Sequence, residues 1–320
     1  MSTTTLNAFV HTLRFEATDI ISIELRPAPG VVFPSFEAGS HIDLHLPNGM
    51  VRNYSLLNQP GEEGRYVIGV LKDAASRGGS RSVHQDLRVG MTLPISAPRN
   101  NFKLHEDAAH SVLVAGGIGV TPILSMARRL KQLGRPFEVL YFARSRANAA
   151  FVAELEALGA PLLFHFNDEK GAPPDLNVLL ASRGPDANTH YYACGPAVML
   201  DAFESVCAKL GHTQAHIERF AAVEVAASSE ARSTYVVELK RSNRSFTITP
   251  EKPLLATLLD EGIDVPYSCS EGICGTCETK VLAGEPDHRD SVLSPKEKAA
   301  NKAMMVCVSG CKSATLVLDL

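Results

Sequence analysis

Four cysteines near the carboxyl end have a spacing that suits an iron–sulfur cluster. Three follow the pattern C-x4-C-x2-C on one short loop, and the fourth comes much later in the chain. This is the plant-type spacing for a [2Fe–2S] cluster held by four thiolates. Gly272 and Gly275 allow the loop to turn sharply and bring N–H groups towards the sulfurs. The predicted ligands are Cys269, Cys274, Cys277 and Cys307.

Zinc is the alternative occupant of these cysteines. Structural zinc sites favour two C-x2-C pairs, and only the pair Cys274 and Cys277 is present here. We therefore favour the cluster. Cys311 lies close after Cys307 and is predicted to be a bystander, because the other four complete the ligand set. An odd number of cysteines does not indicate a disulfide framework.

Composition argues against several other classes of protein. The chain has 320 residues, enough for two domains or three small ones, with 45% apolar and 21% charged residues. A formal net charge of −4 argues against a nucleic-acid-binding protein. No apolar run is long enough to span a membrane, and Met1–Val10 lacks the features of a secretory signal. We expect a cytoplasmic protein.

The first third of the sequence predicts β-structure. Short runs of alternating apolar and polar residues are separated by turn clusters such as Pro47–Gly49. Regular short strands of this kind predict an antiparallel barrel or sandwich. The clearest runs are Ile20–Leu25, His41–Leu46, Tyr66–Leu71 and Thr92–Ser96.

From Ser111 the pattern changes to strands that alternate with helices, which predicts a parallel sheet covered on both faces. Ala221–Ser233 is rich in Ala, Ser and Glu and predicts an exposed linker. The unit beyond it is small, so a bound cluster would help to stabilise it. The apolar runs of the central region are Val112–Val114, Phe137–Phe142, Pro161–Phe166 and His190–Ala193.

Two segments of the first third suit a phosphorylated ring cofactor. In the R-x-Y-S sequence, Arg52 can neutralise a phosphate, and it shares one face of a strand with Tyr54. An ordinary strand is the alternative for this short motif. In Ser76–Ser82, glycines flanked by hydroxyls and arginines form an anion cradle if a helix begins at Ser80–Val83. A solvated loop is the alternative, but Arg52 in the same domain favours phosphate binding.

Two strand ends suit a dinucleotide. Ala115–Pro122 follows a strand and opens a helix, where glycines let a dinucleotide approach the backbone. Pro122 stands near the third glycine position of G-x-G-x-x-G, so this is not the usual fingerprint, and a purely structural turn is the alternative. Cys194–Pro196 ends a second strand, where ligands of α/β sheets bind. A buried core cysteine is the alternative for Cys194 and the preferred interpretation of Cys207.

In this order the motifs resemble the phthalate dioxygenase reductase family, which includes vanillate O-demethylase reductases. The resemblance covers essentially the whole chain. It implies an antiparallel β-barrel flavin domain at 1–105, an α/β parallel-sheet nucleotide domain at 106–225 and an α+β plant-type ferredoxin domain at 226–320. The matching segments are Arg52–Leu56, Ser76–Ser80, Pro98–Phe102, Gly116–Pro122, Cys194–Pro196 and the cysteine loop.

The resemblance also implies cofactors and the residues that contact them. FMN is implied rather than FAD, because the family lacks an adenylate-binding extension and none is evident here. Ser55 and Cys194 are the catalytic candidates, with Thr121 and Cys194 flanking the nicotinamide and the flavin N5 near Ser55. Phe220 is implied near the flavin, although an apolar linker anchor is an equal interpretation. The implied cofactor-binding residues are Arg52, Asn53, Tyr54, Ser55, Lys72, Gly79, Ser80, Gly116, Gly117, Gly119, Thr121, Pro122, Cys194, Gly195 and Phe220.

Electron counting connects these cofactors. A nicotinamide gives up two electrons as a hydride, a [2Fe–2S] cluster accepts one, and a flavin can do both. The resemblance implies a reductase that passes electrons from NAD(P)H through FMN and the cluster to a Rieske non-haem iron oxygenase acting on an aromatic carboxylate or methoxybenzoate. NADH is the family's usual donor, but Arg144 and Arg146 could accept a 2′-phosphate and leave NADPH open.

Three other functions stay open from the sequence. A stand-alone flavin or ferric reductase would use cytochrome c or free flavin as its best acceptor. In an electron carrier with a vestigial nucleotide domain, NADH would not bleach the flavin, although the intact Gly116–Pro122 and Cys194–Pro196 segments argue against this. A zinc-bound interaction protein would be colourless.

Overall fold

A computed structural model describes residues 5–74, 76–183, 186, 188–221 and 234–320. The chain divides into two compact units, one ending at Phe220 and the other beginning at Ala221. The predicted linker, apart from Ala221, lies outside the described residues. The predicted domain boundaries at 105/106 and 225/226 stay predictions. Within the described ranges, no helix is both long enough and apolar enough to cross a membrane.

The first third forms a seven-stranded sheet in the order β4-β3-β6-β1-β2-β5, with β7 beside β3. All its pairings are antiparallel. A bridge between Leu56, just after β4, and Ile68 in β5 joins the two ends of this order. The predicted antiparallel barrel is therefore confirmed. The elements are β1 (Thr5–Ala17), β2 (Ile20–Pro27), β3 (Ser40–His45), β4 (Val51–Ser55), β5 (Tyr66–Leu71), α1 (Gly79–Asp86), β6 (Thr92–Ser96) and β7 (Arg99–Asn100).

The central region forms the predicted parallel sheet, in the order β10-β9-β8-β11-β12. The chain starts at the middle strand β8, continues outward to β9 and β10, and then returns to the other side of β8. The direction of winding thus reverses between β8 and β11, and ligands of such sheets bind at the carboxyl ends of these strands. Buried apolar clusters cover both faces. The elements are β8 (His110–Gly116), α2 (Val120–Leu133), β9 (Phe137–Ala143), α3 (Val152–Glu156), β10 (Leu162–Phe166), α4 (Asn167–Lys170), α5 (Leu176–Ala181), β11 (Thr189–Cys194), α6 (Ala197–Leu210) and β12 (Ala215–Glu218).

The carboxyl-terminal unit contains a mixed sheet in the order β14-β13-β19-β15-β17 and a two-stranded pair, β16 and β18. Its core includes Val237, Leu258 and Leu316, all fully buried. Pro253 immediately precedes the helix that begins at Leu254. The elements are β13 (Tyr235–Leu239), β14 (Arg244–Ile248), α7 (Leu254–Asp260), β15 (Glu278–Ala283), β16 (Pro286–Asp287), α8 (Pro295–Ala300), β17 (Ala303–Met305), β18 (Gly310–Cys311) and β19 (Thr315–Leu318).

Candidate functional site

The two glycine-containing strand ends meet where the winding of the parallel sheet reverses. A Cβ atom on Gly119 would lie 2.2 Å from the carbonyl oxygen of Cys194, and a Cβ atom on Gly195 would lie 2.9 Å from the Cα of Gly116. Any side chain at these positions would push the backbones of the two strand ends apart. The predicted nucleotide segments are therefore in direct backbone contact, and glycine is required there for packing. Gly117, between them, has a φ of 54° and open space around it.

Ser55, Glu218 and Cys194 come together at the same edge of the sheet. Cys194 at the end of β11 is paired in register with Glu218 at the end of β12. The Ser55 hydroxyl, at the end of β4 in the barrel, donates to Glu218 Oε2 at 3.3 Å. The two predicted catalytic residues therefore lie on either side of one carboxyl group.

The surroundings disfavour negative charge on these side chains. Burial raises the pKa of Glu218 to about 8, although the Ser55 hydrogen bond opposes the shift. Burial, and secondarily the Glu218 carboxylate, raises the pKa of the fully buried Cys194 thiol well above its usual range. Both shifts favour the uncharged forms of the thiol and of the carboxyl group, which lie next to a hydroxyl.

Glu218 is the residue that sequence reasoning missed. None of the motifs described above contains it. The one available signal was its position at the end of a short strand, followed two residues later by the predicted flavin contact Phe220. Phe220 is 39% exposed to solvent.

Thr121 and Pro122 lie in the first turn of α2, where a proline is tolerated because its missing N–H has no partner within the helix. The Thr121 hydroxyl donates to the Ile118 carbonyl at 3.1 Å. Its methyl group faces the barrel, since a Cβ atom on Gly69 in β5 would lie 2.7 Å from Thr121 Cγ2. Thr121 is thus held between the sheet and the barrel.

The predicted phosphate cradle is brought together at the start of α1. The Arg52 side chain crosses the first residue of the helix so closely that a Cβ atom on Gly79 would lie 2.5 Å from Arg52 Nε. Gly78, immediately before the helix, has a φ of 111°. Among the described residues no side chain caps this helix end, so its N–H groups and the guanidinium fit an anion.

The other predicted flavin contacts are distributed around the barrel. Tyr54 packs against the barrel core, and burial raises its pKa. The Asn53 amide donates to Asp43, and the Ser80 hydroxyl accepts from the backbone of Asp73 at 3.1 Å. Lys72, just after β5, is exposed. The structure thus joins Arg52, Gly79 and Ser80 at one helix end but records no contact of the Lys72 side chain with them.

The four predicted cluster cysteines converge in the carboxyl-terminal unit as two pairs. The thiols of Cys269 and Cys274 share a hydrogen bond, which lowers the pKa of Cys274 to about 5 and raises that of Cys269. A second hydrogen bond joins Cys277 and Cys307. The two pairs also interact electrostatically with each other. This arrangement fits two irons that each take two thiolates better than one zinc ion, around which four thiolates would be equally spaced.

The loop that carries three of these cysteines directs backbone groups towards sulfur. The Glu271 N–H donates to Cys269 Sγ at 3.3 Å. Gly272 has a φ of 70°, and a Cβ atom there would lie 2.6 Å from Val308, so only glycine lets the loop pack this closely. Backbone N–H groups near the sulfurs tune the potential of a bound cluster.

The remaining cysteines occupy apolar or structural positions. The Cys311 thiol is buried and contacts the Ser313 hydroxyl at 3.2 Å. Cys207 is 1% exposed within α6, and burial raises its pKa to about 12. Both positions agree with their interpretation as residues outside the cluster.

Arg144 and Arg146 follow β9, as their position in the sequence predicts. The Arg146 guanidinium lies 4.6 Å from the centre of the Phe166 ring and forms an ion pair with Glu169 at 3.3 Å. Glu169 therefore already pairs with Arg146, one of the two arginines that could bind a 2′-phosphate.

Comparisons with known proteins agree with this geometry. Residues 237–312 match the family model of a 2Fe-2S iron-sulfur cluster binding domain, and residues 95–217 match that of the N-terminal domain of dimethylamine monooxygenase subunit DmmA-like proteins. Phenoxybenzoate dioxygenase subunit beta of Ectopseudomonas oleovorans is 47% identical, covering 97% of this chain and 96% of its own. Tetrachlorobenzoquinone reductase of Sphingobium chlorophenolicum is 48% identical, covering 95% and 94%. The solved structure of phthalate dioxygenase reductase, described as modular for electron transfer from pyridine nucleotides to [2Fe–2S], has a TM-score of 0.71 at 38% identity and covers 99% and 98%.

Proposed function

Because the chain belongs to the phthalate dioxygenase reductase family of oxidoreductases, we propose that it is the reductase component of an aromatic-ring oxygenase or O-demethylase. Electrons enter from NAD(P)H, pass through a flavin and leave through a [2Fe–2S] cluster. The observation that carries this proposal is the arrangement of Cys269, Cys274, Cys277 and Cys307 as two pairs of thiols, in a chain that also has a nucleotide site. A nicotinamide releases two electrons together, whereas such a cluster accepts one.

We propose FMN as the flavin, with Arg52 and the N–H groups at the start of α1 as its phosphate site. The guanidinium and the uncapped helix end together provide the positive charge and the donors that a phosphate monoester requires. When bound, the flavin accepts a two-electron hydride and passes electrons on one at a time.

In this proposal the chain's own residues exclude water and control protons at the nicotinamide site. Cys194 contributes a neutral, polarisable thiol at the strand end where the flat ring would bind. Glu218 holds a proton next to the Ser55 hydroxyl, so no full negative charge opposes the arrival of a hydride. We expect the two close-packed strand ends and Thr121 to position the nicotinamide, and Phe220 to cover the flavin. We propose NADH as the donor, since Glu169 accompanies Arg146 and would oppose a 2′-phosphate.

We propose a Rieske-type oxygenase as the partner. The 47% identity to a dioxygenase subunit supports an oxygenase system in general. The 48% identity to a tetrachlorobenzoquinone reductase supports a second candidate function, in which the electrons go to a quinone. In the first function the final electron acceptor is an oxygenase, whose turnover requires this chain. In the second the final acceptor is a quinone and no oxygenase is required.

Substitution of one cluster ligand separates these functions. We expect Cys274→Ser to lower the rate of electron transfer to the oxygenase more than tenfold, while NADH still bleaches the flavin at the wild-type rate. Iron content and oxygenase-coupled turnover are the measurements. Cys311→Ser is the matched control, because it replaces a buried cysteine of the same unit that lies outside the pairs. Normal oxygenase turnover in Cys274→Ser would contradict the relay, and undiminished quinone reduction without oxygenase coupling would favour the second candidate.

A further inference from the structure

Three histidines outside the nucleotide site converge on one face of the parallel sheet. His190 lies in β11 and His216 in β12, where His216 is paired in register with Tyr192. His105 comes from the segment that precedes β8, and its N–H donates to the Tyr192 hydroxyl at 2.8 Å. Three separate segments therefore bring their imidazoles to one place.

The three rings lie close enough together for one nitrogen of each to reach a single ion. His190 Nδ1 and His216 Nε2 are 3.0 Å apart. The ring centre of His105 lies 4.5 Å from that of His190 and 5.1 Å from that of His216. One nitrogen from each ring lies within 4.8 Å of the other two. In the described part of the chain, this is the one group of three or more His, Cys, Asp or Glu residues that meets this distance.

These distances are close to those of a metal site. Two nitrogens bound tetrahedrally to one Zn²⁺ at about 2.0 Å lie about 3.3 Å apart. The pair His190 and His216 is already within a few tenths of an ångström of this separation. His105 is exposed, so its ring can move the remaining distance without disturbing the core, and it leaves the site open to solvent.

The close packing of the three rings limits the positive charge that they can carry as separate groups. The neighbouring aromatic group is Tyr192, whose ring lies 4.8 Å from that of His216. Protonating the imidazoles instead would place two or three positive charges within a few ångströms of each other. One divalent ion shared by three neutral rings avoids that repulsion.

We propose that His105, His190 and His216 form a binding site for one divalent transition-metal ion of the zinc class, with a water or other small ligand in the fourth position. Imidazole nitrogens select zinc, nickel, copper and related ions over magnesium and calcium. Because the ligands come from three segments, the ion would tie the segment before β8 to β11 and to the edge strand β12. Neither the flavin site nor the cluster cysteines are needed for this binding.

The test uses the purified protein with flavin and cluster bound, treated with EDTA and freed of chelator by gel filtration. Zn²⁺ is then added, and zinc, iron and sulfide are measured in the same sample, together with the thermal unfolding midpoint. We expect one zinc ion to bind per chain without loss of iron, and the unfolding midpoint to rise. Zinc uptake only in proportion to lost iron would assign the ion to the cysteines and overturn the proposal.

Variants assign the binding to the three rings. His105→Ala removes an exposed ligand and should weaken zinc binding at least tenfold, with the midpoint in EDTA unchanged. His216→Gln removes a different ligand and should also weaken zinc binding. It tests the site independently if the substitution at His105 changes the local structure. His11→Ala, an exposed histidine of the barrel, should bind zinc like the wild type. Equal zinc affinity in His105→Ala and the wild type, or no uptake by the wild type, would show that the rings only stack.

Discussion

At the scale of single residues, the site depends on side chains kept neutral by burial. Glu218 is paired with Cys194 on the neighbouring strand and accepts a hydrogen bond from Ser55. A carboxyl group usually loses its proton below neutral pH, but here its pKa is raised to about 8 because burial disfavours the charged form. In the proposed function, Glu218 would hold a proton next to the place where the hydride arrives.

This proton makes stability depend on pH in a defined direction. Between the ordinary pKa of 4.5 and the folded value of about 8, the folded chain keeps a proton on Glu218 that the unfolded chain has lost. The folded state therefore becomes less stable as pH rises through this range. Glu218→Gln stays neutral, so we expect it to match the wild type at the acidic end and to be more stable by about 2 kcal/mol at the alkaline end, after allowance for solvent screening.

Chemical denaturation of both proteins across this range, in buffer with EDTA, is the measurement. The contribution of every other titrating group cancels in the difference between the two proteins. A difference that stays constant with pH would mean that Glu218 is ionised throughout.

The sequence indicated some of these residues and not others. The cysteine ligands could be predicted because their spacing along one loop is itself the chemical requirement. Ser55 and Cys194 were selected through motifs, but their link through Glu218 could not be predicted. This link depends on how far β12 extends beside β11 and on how the barrel packs against the sheet. Both are contacts between residues far apart in the sequence.

At the scale of elements, the start of α1 and strand β4 come together where we propose the anion site. The sequence of each segment on its own fits both a cofactor site and an ordinary strand or loop. The structure places the Arg52 side chain across Gly79, where a Cβ atom would collide with it. The helix begins at Gly79, one residue before the predicted start, because Gly78 adopts the left-handed conformation that ends the preceding loop.

Removal of this guanidinium should weaken flavin binding. We expect Arg52→Ala to raise the dissociation constant for the flavin by about tenfold or more, the usual effect of losing a charge-assisted hydrogen bond to a phosphate. Flavin content after gel filtration and titration of the flavin-free protein are the measurements. Arg26→Ala, an exposed arginine on β2 that pairs with Glu24, is the control. Unaltered flavin retention in Arg52→Ala would remove the phosphate role from this residue.

The three sheets illustrate which elements a sequence reveals. The predicted runs Tyr66–Leu71 and Thr92–Ser96 appear as strands with the same bounds. Burial alternates along the first four residues of Thr92–Ser96, as a half-buried strand requires, whereas Tyr66–Leu71 is buried except at its last residue. The dinucleotide segment at Gly116–Pro122 lacked the usual third glycine. The structure explains why no glycine is needed at Pro122. The closest backbone approach falls at Gly119, opposite Cys194, whereas Pro122 lies in the first turn of α2, where a proline is tolerated.

At the scale of the whole molecule, the chain combines two units with different electron chemistry. The unit ending at Phe220 contains the barrel, the parallel sheet and the nucleotide site between their strand ends. The unit beyond it contains the four paired thiols and a small apolar core. Strand patterning predicted the barrel and the parallel sheet, because each has its own periodicity, whereas the fold of the carboxyl-terminal unit was implied by the family resemblance. The identity of the aromatic substrate has no signature in this chain, since a reductase component does not contact it.

The most direct test of the account is an anaerobic titration of the purified protein with NADH, followed by its visible absorbance. The account predicts a brown-orange protein with FMN and about two irons per chain, in which NADH removes the colour of the flavin and then that of the iron–sulfur centre. A protein whose flavin bleaches while the iron–sulfur absorbance stays unchanged, or one that has no iron–sulfur absorbance, would contradict it.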